Sequence, residues 1–215
     1  MAKRYKYAII IDTEFVSSKE GAQPFQISML AFKIENSKLI KLNDFNAFIM
    51  LRKGLKLNHF AKKCTGITDE KLKKNGIYPD MATHQVINYL LMFNIEETII
   101  IGWAPSNDKR MLDLLINHEE PMIDLETFDW FDLSKSYLSL NKIATKETPS
   151  LASVIDFYHL RGYSFHDSME DARATATLFC LFLKEYGIDK TIYECMQKPK
   201  KNKNINRKKK DATLK

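Results

Sequence analysis

Four carboxylates stand in local contexts that suit metal chemistry. Ile10-Ile11-Asp12-Thr13-Glu14-Phe15 places two acids at the end of an apolar run. Trp103-Ala104-Pro105-Ser106-Asn107-Asp108 places a third where a helix should begin, and His166-Asp167-Ser168-Met169-Glu170-Asp171 sets a histidine five positions before the fourth. Asp12 and Glu14 are two apart, so on a strand they leave the same face. Hard cations such as Mg²⁺ or Mn²⁺ prefer oxygen ligands, and convergent carboxylates suit them. In a two-metal site, ions about 3.5–4 Å apart serve the attacking and the leaving oxygen of a phosphoryl displacement. Such a site needs about four carboxylates and a base for the water. Histidine is the natural base, with an ordinary pKa near ~6.5.

Each residue also has a plainer reading. Asp-x-Glu could be a solvated turn after a strand. Asp108 could answer a helix dipole, with Ser106 or Asn107 as N-cap. Ser168-x-x-Asp171 matches a capping box. The inventory gains force jointly, in the order DxE, D, HxxxxD.

The elements that must position these groups are read from periodicity. Strands are predicted at Tyr5–Ile11, Pro24–Phe32, Phe45–Leu51, Thr98–Trp103 and Pro121–Leu125. Helices are predicted at Asn58–Cys64, Asp69–Asn75 (N-cap Thr68), Pro79–Phe93, Asn107–Asn117, Ser150–Tyr158 and Ser168–Tyr186, the last closed by Gly187. Strands first, then alternating strands and helices, imply an α/β fold around a mixed sheet. A chain of 215 residues suits one principal domain, taken as residues 1–190.

The net charge of +6 is unevenly spread. Lys198–Lys215 carries nine Lys/Arg and only Asp211, leaving 24 basic against 26 acidic residues before it. Residues 191–215 are therefore read as a basic, disordered tail. It could tether nucleic acid through phosphates, bind a protein partner, or merely solubilise the chain. No apolar run approaches the ~20 residues of a membrane span. Cys64, Cys180 and Cys195 show no metal spacing and are expected to be free thiols in a cytoplasmic protein.

The motif order resembles the DEDDh family of 3′–5′ exonucleases. Ile11-Asp12-Thr13-Glu14-Phe15 is similar to its first motif, Gly102–Leu112 to its second, and His166–Thr175 to its H-x-A-x-x-D-A-x-x-T third. Cys64-Thr65-Gly66-Ile67-Thr68 and Phe25-Gln26-Ile27 are further likenesses, so the resemblance spans residues 7 to about 183. In the tyrosine-bearing sister class a Tyr stands four positions before the last acid, where this chain has Asp167. Two departures are Asn107 in place of an aromatic before Asp108, and Ser168 in place of Ala.

The resemblance implies an RNase H-like exonuclease fold, a mixed five-stranded sheet flanked by helices. It implies that Asp12, Glu14, Asp108 and Asp171 hold two Mg²⁺ or Mn²⁺, with Asp12 bridging, and that His166 is the general base. Thr13 and Phe15 would border the terminal nucleotide, the Thr13 backbone facing it. Thr65, Gly66 and Ile67 would form a loop on which the terminal base packs. The expected substrate is a single-stranded nucleic acid with a free 3′ end, DNA favoured, releasing nucleoside 5′-monophosphates. RNA trimming is the alternative, and a non-catalytic binding module of the same fold a further one. A DNA polymerase is a possible protein partner.

Overall fold

Ala8-Ile9-Ile10-Ile11 is a fully apolar run because both faces of its strand are covered. Ile9 and Ile11 point to one side with Ile27, Met29 and Ile100; Ala8 and Ile10 point to the other with Leu30, Ile99 and Ile101. The computed structural model describes residues 5–19, 21–117, 123–145 and 147–197. Its elements are β1 (Tyr7–Ser18), β2 (Gly21–Glu35), β3 (Lys38–Phe48), α1 (His59–Thr65), α2 (Asp69–Asn75), α3 (Pro79–Leu91), β4 (Thr98–Gly102), α4 (Ser106–Ile116), β5 (Asp129–Asp132), α5 (Leu133–Leu140), α6 (Leu151–Phe157), α7 (Ser168–Ile188) and α8 (Glu194–Gln197).

The five strands form one sheet in the order β3-β2-β1-β4-β5. β1 pairs antiparallel with β2 and β2 with β3; β1 with β4 and β4 with β5 are parallel. Asn36 and Ser37, both left-handed at φ 50° and 59°, make the tight β2–β3 turn that a twisted hairpin requires. Helices α3 and α4 cover one face through Val86, Leu90, Leu112 and Leu115. Helices α5, α6 and α7 cover the other through Tyr137, Val154, Ala172, Phe179 and Phe182. A smaller core of Val16, Phe25, Leu57, Ala61, Ile67 and Leu72 lies under α1 and α2, beyond the carboxyl end of β1. No helix among the described residues is long and apolar enough to cross a membrane.

The sheet content and the mixed topology match the expectation; several boundaries do not. The sequence pattern puts the fifth strand at Pro121–Leu125. Pro121 and Met122 lie outside the described residues, Leu125–Thr127 is a single 3₁₀ turn, and the strand is Asp129–Asp132. That four-residue strand is bounded by acids, so it shows no apolar alternation to read. Thr68 does cap α2, accepting from the Lys71 N–H.

Gly187, at φ 75°, breaks the α7 helix, yet the chain resumes helically after it. Ile192 is fully buried and Ser136 donates to the Thr191 carbonyl, so the domain extends past the expected boundary at residue 190. The basic stretch from Lys198 onward lies outside the described residues.

Gly102 lies at a close approach between β4, α4 and β1. A Cβ there would stand 2.7 Å from the Pro105 Cβ and 3.3 Å from the Ile11 carbonyl oxygen. Only glycine lets the chain turn from β4 into α4 this close to β1. Gly102→Ala is expected to cost about 1–3 kcal/mol in urea unfolding. Because the shift moves the start of α4, turnover should fall by about 10²-fold.

Candidate active site

Asp12 and Glu14 sit on the α7 side of β1, opposite Ser28 and Gln26 of β2. That row is polar inside an otherwise apolar sheet, and it seats the start of α7. The Ser28 and Ser168 hydroxyls hydrogen-bond at 2.7 Å, and Ser28 also donates to Asn46 at 3.1 Å. Ser168 is therefore not the helix cap expected of it. Asp167 is, accepting from the Met169 and Glu170 N–H groups. The docking brings Asp171, in the first turn of α7, onto β1.

Asp108 arrives from the other side. The turn before α4 is held where Ala104, left-handed at φ 55°, donates its N–H to Asp132, and where the Trp103 indole donates to the Pro149 carbonyl. Neither Ser106 nor Asn107 caps the helix; the N-cap position is Pro105, with no side-chain cap bond. Asp108 Oδ1 instead accepts both the Thr13 N–H at 2.9 Å and the Thr13 hydroxyl at 2.8 Å. This corrects the expectation for Thr13. It is buried, and its backbone N–H is spent on holding Asp108 rather than on facing a nucleotide.

His166 precedes α7 in a left-handed conformation, φ 67°, which histidine tolerates better than most residues. Its backbone N–H donates to Asp171 Oδ2 at 3.0 Å, fixing the turn. The side chain is exposed, and one of its ring nitrogens lies with carboxylate oxygens of Glu14 and Asp171, all within 4.8 Å of one another.

The electrostatics of the cluster are unbalanced. Burial, then the charges of Asp108, Asp171, Glu14 and Asp167, push the Asp12 carboxyl well above its ordinary range. Burial, then the charges of Asp171, Asp108 and Asp167, raise Glu14 to about 8. Burial raises Asp108 to about 6 against the two hydrogen bonds from Thr13, and Asp171 to about 6 against the bond and charge of His166. No lysine or arginine among the described residues pairs with any of the four acids. Asp171 Oδ1 is buried with no hydrogen-bond partner. An all-oxygen donor set, mutual repulsion and an orphaned carboxylate oxygen fit a divalent cation as the missing counter-charge.

The other expected residues are placed less directly. Phe15 is half-buried just past a register shift in the β1–β2 pairing, where β2 carries the extra residue Phe25. Gly66 is exposed and ends α1 in the left-handed conformation at φ 65°, and the Thr65 hydroxyl donates to the Ala61 carbonyl. The Ile67 side chain is 1% exposed within the core beneath α1 and α2, so it is not available for a base to stack on. Sequence reasoning missed Gln26, Ser28 and Asp132 as supports. The visible signal for the first two is a polar pair two apart in an apolar strand.

The RNase_T exonuclease family model matches residues 9–179. A curated relative, the PolC-type DNA polymerase III of Thermotoga maritima, is 28% identical over 173 residues, covering 76% of this chain and 11% of that polymerase. Among solved structures, the zinc-bound E. coli ExoI–ssDNA complex superposes with a TM-score of 0.68 at 16% identity, covering 85% of this chain and 41% of ExoI. The nuclease domain of 3′hExo, a DEDDh family member bound to rAMP, gives 0.67 at 16% identity, covering 85% and 94%. A 3′-exonuclease in 3′-end-specific recognition of a histone mRNA stem-loop gives 0.69 at 14% identity, covering 85% and 84%. The fold is the RNase H-like exonuclease fold, and the chain belongs to the RNase_T exonuclease family.

Proposed function

We propose that the protein is a metal-dependent 3′–5′ exonuclease that hydrolyses the terminal phosphodiester of single-stranded nucleic acid and releases nucleoside 5′-monophosphates. The observation that carries this reading is the convergence on β1 of four mutually repelling carboxylates, Asp108 and Asp171 buried and Asp12 and Glu14 half-buried, with no basic partner among the described residues, beside His166. Asp12, Glu14, Asp108 and Asp171 would hold two Mg²⁺ or Mn²⁺. When bound, the metals polarise the attacking water and stabilise the departing 3′ oxygen. His166 takes the proton from that water; its exposed ring can then pass it to solvent. Thr13 keeps Asp108 in place, and the Ser28–Ser168 contact keeps Asp171 in place. Phe15 and the Thr65–Gly66 turn border the terminal nucleotide.

DNA is the favoured substrate, supported by the polymerase relative and the ExoI–ssDNA complex. RNA is the second reading, supported by the similarity to the nuclease bound to rAMP and to the histone mRNA exonuclease. A polymerase partner is part of the first reading. A cytoplasmic site of action agrees with three free cysteines.

The test is a time course on 5′-labelled single-stranded DNA and RNA with Mg²⁺ or Mn²⁺. A ladder shortening from the 3′ end, absent with Asp12→Ala, is expected; the faster ladder names the substrate. Folded protein that shortens neither strand would leave a non-catalytic binding module.

A further inference from the structure

Four carboxylates, even when offset by two divalent cations, leave the site with little net positive charge to draw a polyanion. The positive charge that seats it must lie elsewhere, and the described residues concentrate it in one stretch. Between Arg52 and Lys74 stand eight Lys/Arg and two acids, in a chain whose residues before Lys198 are slightly acidic in sum.

The stretch leaves the sheet at the site's end. Phe48, the last residue of β3, is level with Gln26, which is level with Glu14. The next residue, Ile49, donates its N–H to the Phe25 carbonyl. The buried Gln23 amide then clamps the outgoing chain, donating to the Met50 carbonyl and accepting the Arg52 N–H. Ala61 and Ile67 pack with Val16 of β1, two residues beyond Glu14.

On this platform Lys53, Lys56 and Lys63 are exposed. Phe60, in the first turn of α1, is 75% exposed, more than any other large hydrophobic side chain among the described residues. Lys62 is committed to Asp69 and Lys71 lies over the Phe48 ring, so these two hold α1 and α2 rather than meet a ligand. An exposed aromatic ring within a lysine-rich stretch is the combination that stacks an unpaired base while ammonium groups meet its phosphates.

We propose that Phe60, with Lys53, Lys56 and Lys63, forms an auxiliary track for the single strand upstream of its 3′ end, so that the protein grips several nucleotides beyond the one it removes. This rests on the exonuclease reading. The track binds by stacking and charge and does not read sequence. Its chemistry accepts DNA and RNA alike, and none of its residues is among the four acids or His166.

The experiment compares wild type, Phe60→Ala, Phe60→Trp and the combined Lys53→Gln, Lys56→Gln, Lys63→Gln variant on oligo-dT and oligo-rU of two and twelve nucleotides. Fluorescence anisotropy of the labelled twelve-mers in Ca²⁺ is read alongside hydrolysis in Mg²⁺. For wild type, the KM of the twelve-mer should lie well below that of the dimer. Phe60→Ala should narrow that gap about tenfold, and Phe60→Trp should restore it. The lysine variant should make the slope of log affinity against log salt shallower by about 2. A gap and a salt slope equal to wild type in both losses would overturn the track, and equal preference for dimer and twelve-mer in wild type would do the same. Anisotropy separates the two ideas. A chain that binds the twelve-mer through Phe60 but hydrolyses nothing refutes the exonuclease reading and keeps the track.

Discussion

Asp12→Asn should make the metal-free protein more heat-stable and nearly inactive. The Asp12 carboxyl is pushed upward by its burial and by Asp108, Asp171, Glu14 and Asp167, with no opposing cation beside it among the described residues. Removing the charge while keeping the shape relieves that repulsion. For a domain of this size each ~1 kcal/mol moves the melting temperature by about 2–4 °C. Losing an outer partner of a metal ligand typically costs about 10–100-fold, so losing a central ligand should cost about 10³-fold or more in turnover. The sign of the pH dependence comes from the same shifts. Glu14 is raised to about 8, and Asp108 and Asp171 to about 6, all above their unfolded values. The folded metal-free state therefore holds more protons than the unfolded chain between about pH 4 and 8. Its stability is full below that window and is lost as pH rises through it. Added Mg²⁺ should reverse the trend, stabilising more at pH 8 than at pH 5, and Asp12→Asn should blunt both effects. Thermal melts with EDTA or Mg²⁺ at the two pH values read this out. A variant no more stable than wild type without metal would show that the four acids are not under mutual strain.

His166→Ala should lose about 10²–10⁴-fold in kcat, the usual contribution of a general base. The ring is exposed, and its position is fixed by the backbone bond to Asp171, which alanine keeps. The proximity of its nitrogen to Glu14 and Asp171 raises a specific rival, that the imidazole is itself a metal ligand. Mn²⁺ titration calorimetry separates the two. Affinity close to wild type with kcat lost assigns the base; affinity lost together with kcat assigns a ligand. Unchanged turnover across a pH series would remove His166 from the reaction.

The candidate site is more legible in the sequence than its supports are. Asp12, Glu14, Asp108, His166 and Asp171 can be singled out as a candidate set because few residue types suit metal chemistry and the strand before the first pair is plainly apolar. The strand Asp129–Asp132 cannot, being too short for any period. Helix α5 comes directly after it and escapes with it. Local rules also misassign polar groups that have distant partners. Ser168 looks like a cap until Ser28, 140 residues away in sequence, is seen to hold it. Asp108 looks like an answer to the helix dipole until Thr13, 95 residues away, takes its oxygen. Ile67 looks exposed in a Gly-Ile-Thr loop, since three residues cannot reveal which side faces a core.

Because Ser28 must wait for Ser168, the order of synthesis governs when the acid cluster can close. The first two acids leave the ribosome early, but the histidine and the last acid come only with α7, near the end of the fold. A nascent or truncated chain that stops before α7 carries Asp12, Glu14 and Asp108 but lacks Asp171, so the acid cluster is incomplete. The cluster is thus completed only when synthesis of the domain is nearly finished.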